Sequence, residues 1–176
     1  LSASLIVFVL AFMGLPLILE HFSIVELLLF LPICVRVFSL LWIGPSILVA
    51  LALKKLLIGQ YEAAEHPVWG SFYLRNWFVT SAAKLIPWGL IKGTEYECKA
   101  LRLLGARIGQ GVHIHKGVNL LGGGWDLLTI GDNVSLGRDV SVRLLDFTEK
   151  KVVVGPICIG SGATLETRAG LSPHSR

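Results

Sequence analysis

The chain has 176 residues with a formal net charge of +4, of which 53% are hydrophobic and 16% charged. Mean hydropathy is +0.69, and most of the apolar excess lies before Leu53, so the composition points to a membrane protein built from two unlike parts. The basic residues form no concentrated stripe, which speaks against nucleic-acid binding. Cys34, Cys98 and Cys158 lie in three different regions without CxxC or Cys/His spacing. They read as reduced, structural thiols in a cytosolic setting, and no metal centre is expected.

Residues 1–56 read as a transmembrane helical hairpin. Leu1 to Leu19 carries no charge, Glu20 to Ser23 makes a turn, and Ile24 to Leu53 is apolar except for Glu26 and Arg36. About 20 residues cross a bilayer core as helix. The second stretch would extend roughly 45 Å as one helix, which predicts a kink or break at Pro32 or Gly44-Pro45. No basic n-region or small-residue cleavage site marks a secretory signal. The turn has no Lys or Arg, whereas Lys54, Lys55, Arg75, Lys84 and Lys92 follow the second helix. Both ends are therefore expected on the cytoplasmic side of an integral membrane protein.

Residues 57–105 read as a linker. Trp69, Tyr73 and Trp77 recur at helical spacing with Arg75 and Lys84 interleaved, the pattern of a basic, aromatic helix lying at a membrane interface. The alternative is an ordinary helix packed on the following domain. Thr94-Glu95-Tyr96-Glu97 has the spacing of a capping box, opening a short helix to Leu104 that Gly105 ends.

From residue 106 to 176 a six-residue phrase recurs: an aliphatic residue, usually Gly next, and a small or β-branched residue four places on. Its copies begin at Ile108, Ile114, Ile130, Leu136, Ile159 and Leu165. Such a short period predicts stacked coils, a hexapeptide parallel β-helix. The phase breaks twice, within Leu121–Leu127 and again within Arg143–Pro156, which predicts two outward loops. Because loops on a rigid scaffold carry function, the substrate cleft is expected there, with Trp125, Asp126, Phe147 and Glu149 as its loop residues. Asp146 also lies in the second break. His113 and His115, which flank the inward Ile114 and point outward, are candidates for catalysis; as a metal pair they lack a third ligand. The chain begins in an apolar run without Met and closes after Leu171-Ser172-Pro173 with no polar cap. It therefore reads as a piece of a longer protein, incomplete at its C-terminus.

The paired helices, the aromatic linker, the run Leu103 to Gly109 and the run Val154 to Gly160 together resemble one known arrangement. It is the C-terminal membrane region of the poly-lysine-synthetase-type (Pls-type) nonribosomal peptide synthetases, relatives of the wider hexapeptide acyltransferases. The resemblance implies a left-handed β-helix and acyl or aminoacyl transfer that forms an amide bond. It implies a phosphopantetheine thioester on a carrier, or acyl-CoA, as donor, with no cofactor bound by this segment. The lipid bilayer, a carrier domain, and sibling hexapeptide domains or a homotrimer are the implied partners. Many relatives carry a loop His where Leu145 stands here. Asp146, His113 and His115 are then the first candidates for catalysis. A stand-alone acetyl-CoA-dependent acetyltransferase and a non-catalytic assembly scaffold are the alternative readings.

Overall fold

The computed structural model describes residues 24–148 and 151–175. The first expected helix, Leu1 to Leu19, and Glu149 lie outside these residues. The description begins with α1 (Ile24–Leu41) and α2 (Ile43–Leu57), which follow one another with a break at Trp42. The break has a local cause: the ring of Pro45 clashes with the carbonyl four residues back, that of Leu41, where α1 ends. Pro32, by contrast, sits inside α1. The 29 residues from Leu29 to Leu57, with a hydropathy of 2.0, are long and apolar enough to cross a membrane. Leu29, Phe30, Ile33, Leu40, Leu41, Leu48 and Leu56 are all exposed along it.

The C-terminal half of this stretch is tied to the rest of the chain. Ser46, Ala50 and Lys54 are buried at a spacing of four, one stripe of α2. The helix packs on α3 (Ser71–Ala83), where Val79, Ala82 and Ala83 are buried. The alanines on both sides let the two backbones approach closely. Beyond α3 come a single turn, α4 (Trp88–Ile91), and α5 (Glu95–Leu103). The indole Nε1 of Trp88 donates to the Ala83 carbonyl at 2.8 Å and closes the corner.

The start of α5 differs from a capping box. Thr94 Oγ1 donates back to the Ile91 carbonyl (2.6 Å), and Glu97 accepts from the Gly93 N–H (2.7 Å) instead of that of Thr94. Glu97 is 2% exposed, and burial pushes its carboxyl above the usual carboxylate range, partly offset by the Gly93 N–H and Lys92.

The remaining strands form three small parallel sheets and one antiparallel sheet. β2 (Arg107–Ile108), β4 (Leu128–Ile130) and β9 (Ile157–Ile159) pair in the order β2-β4-β9. β3 (His113–Ile114), β5 (Ser135–Leu136) and β10 (Thr164–Leu165) pair as β10-β5-β3, and β6 (Ser141–Val142) pairs with β11 (Gly170–Leu171). The aliphatic positions of the repeated phrase meet across these ladders: Ile108 opposite Ile130 opposite Ile159, and Ile114 opposite Leu136 opposite Leu165. Ile108, Ile114, Ile130, Leu136, Val142 and Ile159 are buried, with Val118, Val134 and Val140 between them.

The fourth sheet replaces an expected loop. Within the second phase break, β7 (Leu145–Thr148) and β8 (Lys151–Val154) pair antiparallel, and β1 (Ala64–Pro67) from the linker pairs antiparallel on the other side of β8. Lys151-Val152-Val153-Val154 is a β-branched run. Its Val152 and Val154 are each 1% exposed, the alternation of a strand covered on one face.

The expectation of a transmembrane hairpin followed by a left-handed hexapeptide β-helix is therefore corrected. Among the described residues the strands are short and lie in small separate sheets, parallel and antiparallel, with no closed solenoid and one apolar span; the expected first span lies outside them. The physical reason lies in the two breaks. Partners stand 22 residues apart from β2 to β4 but 29 apart from β4 to β9. The inserted residues fold as structure of their own, and the second set recruits a strand from outside the repeat.

Where parallel segments lie side by side, the Gly of the phrase is required by space. A Cβ on Gly131 would stand 2.5 Å from the Ser161 backbone nitrogen, whereas one on Gly160 would meet open space. Gly131→Ala should therefore cost about 1–3 kcal/mol of unfolding free energy, and Gly160→Ala less than about 0.5 kcal/mol. Urea unfolding of the detergent-solubilised chain measures both; equal losses would contradict the close approach.

Glu97 yields a pH prediction. Its folded-state pKa is raised, so the folded chain binds this proton more tightly than the unfolded one. Stability should then fall as pH rises from the ordinary carboxylate value through the folded one, and stay lower above it. Glu97→Gln keeps an acceptor for Gly93 and should flatten that part of the stability–pH curve. An unchanged slope in the variant would refute the assignment.

Candidate functional site

The first phase break, Leu121 to Leu127, is held against the end of α2. Lys54 is 7% exposed, and its Nζ donates to Asp126 Oδ1 and to the Leu104 carbonyl, each at 2.7 Å. The second carboxylate oxygen of Asp126 accepts from the Tyr61 backbone N–H at 2.9 Å. Tyr61, 3% exposed, donates its hydroxyl to Asn76 Oδ1 on α3 at 2.7 Å. Its ring meets Trp125 and Phe72 edge-on at 6.2 and 6.3 Å. Burial pushes the phenol well above its ordinary range, the Gly124 N–H pulling the other way and Asp126 adding to the rise, so Tyr61 is a fixed donor at neutral pH. Gly105, with φ +112°, turns the chain past this cluster; a Cβ there would collide with Asp126 and stand 2.8 Å from Lys54 Nζ.

The opposite side of the same glycine run lines a cleft. A cavity of about 260 Å³ lies between Gly122-Gly123 of the first break and Arg143-Leu144-Leu145 of the second, with Asn119 and Ser141 alongside. Gly122 faces open space. Asn119 Oδ1 accepts from the Leu121 N–H at 3.1 Å, and Asn119 bridges to Ser141 on the adjacent parallel segment. Arg143 is the cationic group of this wall, and its Nη1 lies 3.3 Å from Asp146 Oδ1. That oxygen also accepts from the Phe147 N–H at 3.0 Å. A cationic guanidinium, a nearby carboxylate and an open glycine backbone can orient an acyl group, steady a developing oxyanion and take a proton.

The residues singled out from sequence fall in several places. Asp146, half-buried in β7, stands beside the cleft. Phe147 is 60% exposed and meets Tyr73 edge-on at 6.2 Å. His113 and His115 are elsewhere, on β3 and the turn after it. His113 is exposed, and His115 Nδ1 accepts from the Gly117 N–H at 3.2 Å. The structure does not bring either histidine into the cavity lining with Arg143. Trp125 and Asp126, expected as loop residues facing substrate, point the other way. Trp125 is fully buried with Nε1 donating to the Leu120 carbonyl at 2.8 Å, and Asp126 is taken up by Lys54. Apolar area and a satisfied carboxylate decide both placements. Among the described residues no group of three His, Cys, Asp or Glu is placed to hold a metal.

Sequence reasoning did not find Arg143, Asn119, Lys54, Tyr61 or Asn76. Arg143 sat in view, one residue after the inward Val142. In the sequence Lys54 reads only as a positive charge beside the apolar stretch, because its partner is 72 residues away.

No family model matches the chain, and no solved structure matches it. Among curated proteins it is similar to the Delta-poly-L-ornithine synthetase of Acinetobacter baumannii (strain AB307-0294). The two are 30% identical over 136 residues, covering 74% of this chain and 10% of that protein. The chain thus spans about a tenth of the length of the curated relative it matches. The similarity supports a synthetase-related chain and a Pls-like relationship at that coarse level, and no family model supports a hexapeptide repeat.

Removing one partner of a buried ion pair strands the other. Asp126→Ala should cost about 3 kcal/mol of unfolding free energy, since Lys54 loses its counter-charge in a site largely removed from water. Lys54→Met combined with Asp126→Leu should cost clearly less than the single change. Denaturant unfolding in detergent reads both; a single variant as stable as the parent would show that the pair holds nothing together.

Proposed function

We propose that this chain is a membrane-held part of a synthetase and supports amide-bond formation by acyl or aminoacyl transfer. The cleft between Gly122 and Arg143 is its site. The observation that carries the synthetase reading is the 30% identity to a poly-ornithine synthetase segment. The cleft where the two phase breaks meet supports the location of the chemistry.

In this reading the donor is a thioester on a carrier domain, or acyl-CoA, and the chain itself holds no cofactor. An amine nitrogen attacks the thioester carbonyl carbon. Arg143 and the open backbone at Gly122 steady the oxyanion. The C–N bond forms, the C–S bond breaks, and the nitrogen's proton passes through Asp146 to the departing sulfur, which leaves as a thiol. The apolar stretch Leu29–Leu57 tethers the site to the bilayer, with Lys54, Lys55 and Arg75 favouring the cytoplasmic face. Sibling domains or further copies of the chain are the assembly partners.

A second reading, a non-catalytic assembly module, draws on the separation of both histidines from the cleft. Product formation by the full-length protein in membranes decides between them. Asp146→Asn and Arg143→Gln should each lower kcat about 10²-fold, with His113→Ala and His115→Ala within about twofold of the parent. Full activity in both cleft variants would leave the assembly reading. Turnover of acetyl-CoA without a carrier would instead point to a stand-alone acetyltransferase.

A further inference from the structure

A second cavity, of about 400 Å³, lies between the end of α2 and the first turn of α3. Glu62 and Arg75 put one carboxylate and one guanidinium on its wall, with His66 beside them, and Leu57, Ile58 and Phe72 make its apolar part. His66 lies flat on Phe72, ring centroids 4.0 Å apart and planes 16° from parallel, so this wall is already formed. Glu62 and Arg75 are exposed, and among the described residues neither takes part in an ion pair. Both charges are free to meet a ligand.

The surroundings specify what kind of ligand. At about 100° per helical residue, Leu74, Trp77 and Phe78 occupy one arc of α3, and Arg75 lies on the next arc round. Those three apolar residues are 57, 54 and 54% exposed, and Leu56 on α2 is 79% exposed. Apolar surface therefore runs from the cavity along both helices into the stretch Leu29–Leu57. A molecule that fits has a cation and an anion close together at one end and apolar chains at the other.

We propose that this cavity binds the headgroup of a zwitterionic phospholipid with a primary amine. The ammonium meets Glu62, the phosphate meets Arg75, and an acyl chain lies along Leu74, Phe78 and Leu56. The inference rests on the membrane placement of Leu29–Leu57 and not on the transfer chemistry of the other cleft.

The test uses the full chain in detergent, titrated with brominated-acyl phosphatidylethanolamine, phosphatidylcholine or phosphatidylglycerol, with quenching of tryptophan emission as the signal. Trp69, just before α3, and Trp77, on the same arc of α3 as Leu74 and Phe78, are exposed and report an acyl chain lying along that arc. Half-quenching should need about tenfold less phosphatidylethanolamine than phosphatidylcholine, whose quaternary amine has no proton for Glu62. Glu62→Gln should abolish that preference, and Arg75→Gln should weaken both lipids; both side chains are exposed, so far-UV circular dichroism should match the parent. Equal half-quenching by all three lipids, or a preference retained in Glu62→Gln, would overturn the proposal. Displacement by equimolar O-phosphoethanolamine would overturn the lipid assignment in favour of a soluble ligand. No quenching by any lipid would overturn the proposal and leave the membrane placement of Leu29–Leu57 standing.

Discussion

The contact between Lys54 and Asp126 joins three parts of the chain that are far apart in sequence. An ammonium removed from water is tolerated only with a counter-charge and filled hydrogen-bonding capacity. Lys54 finds these in Asp126 and the Leu104 carbonyl, and Asp126 in turn uses both oxygens, one on Lys54 and one on the Tyr61 N–H. The pair can form only when the end of α2, the turn after α5 and the first phase break are all in place. Gly105 is part of the same constraint, because no side chain fits between the carboxylate and the ammonium.

That constraint decides which way the glycine run faces. With Asp126 drawn to Lys54 and Trp125 sealed in the core, Gly122 and Gly123 are left to line the cleft with Arg143 and Leu145. The candidate chemistry and the membrane stretch are therefore mechanically connected through a few side chains. Tyr61 reinforces the connection by bonding Asn76 of α3 while its ring packs on Trp125.

The sheets divide the work in a similar way. The parallel ladders bury the repeated aliphatic residues and bring Asn119 beside Ser141. The antiparallel sheet, with β1 from the linker, carries Asp146 and sets it beside the guanidinium of Arg143. The matched span in the poly-ornithine synthetase is a tenth of that protein.

Much of the local structure was legible in the residues themselves. The apolar stretch, the break near Pro45, the helix ending at Gly105 and the inward aliphatic positions all follow from hydropathy, ring geometry and short periods, which are properties of neighbouring residues. The two phase breaks also marked where a cleft would lie. Only the tertiary structure decided that the second break is a hairpin recruiting β1, that no closed solenoid forms among the described residues, and that Trp125 and Asp126 serve packing. It alone separated His113 and His115 from Asp146 and placed Arg143 beside it. These outcomes depend on partners 50 to 86 residues apart, such as Lys54 with Leu104 and Asp126, or Lys151 with Glu65. Long-range pairs of this kind are selected by burial and charge satisfaction in the folded chain, and no local pattern encodes them.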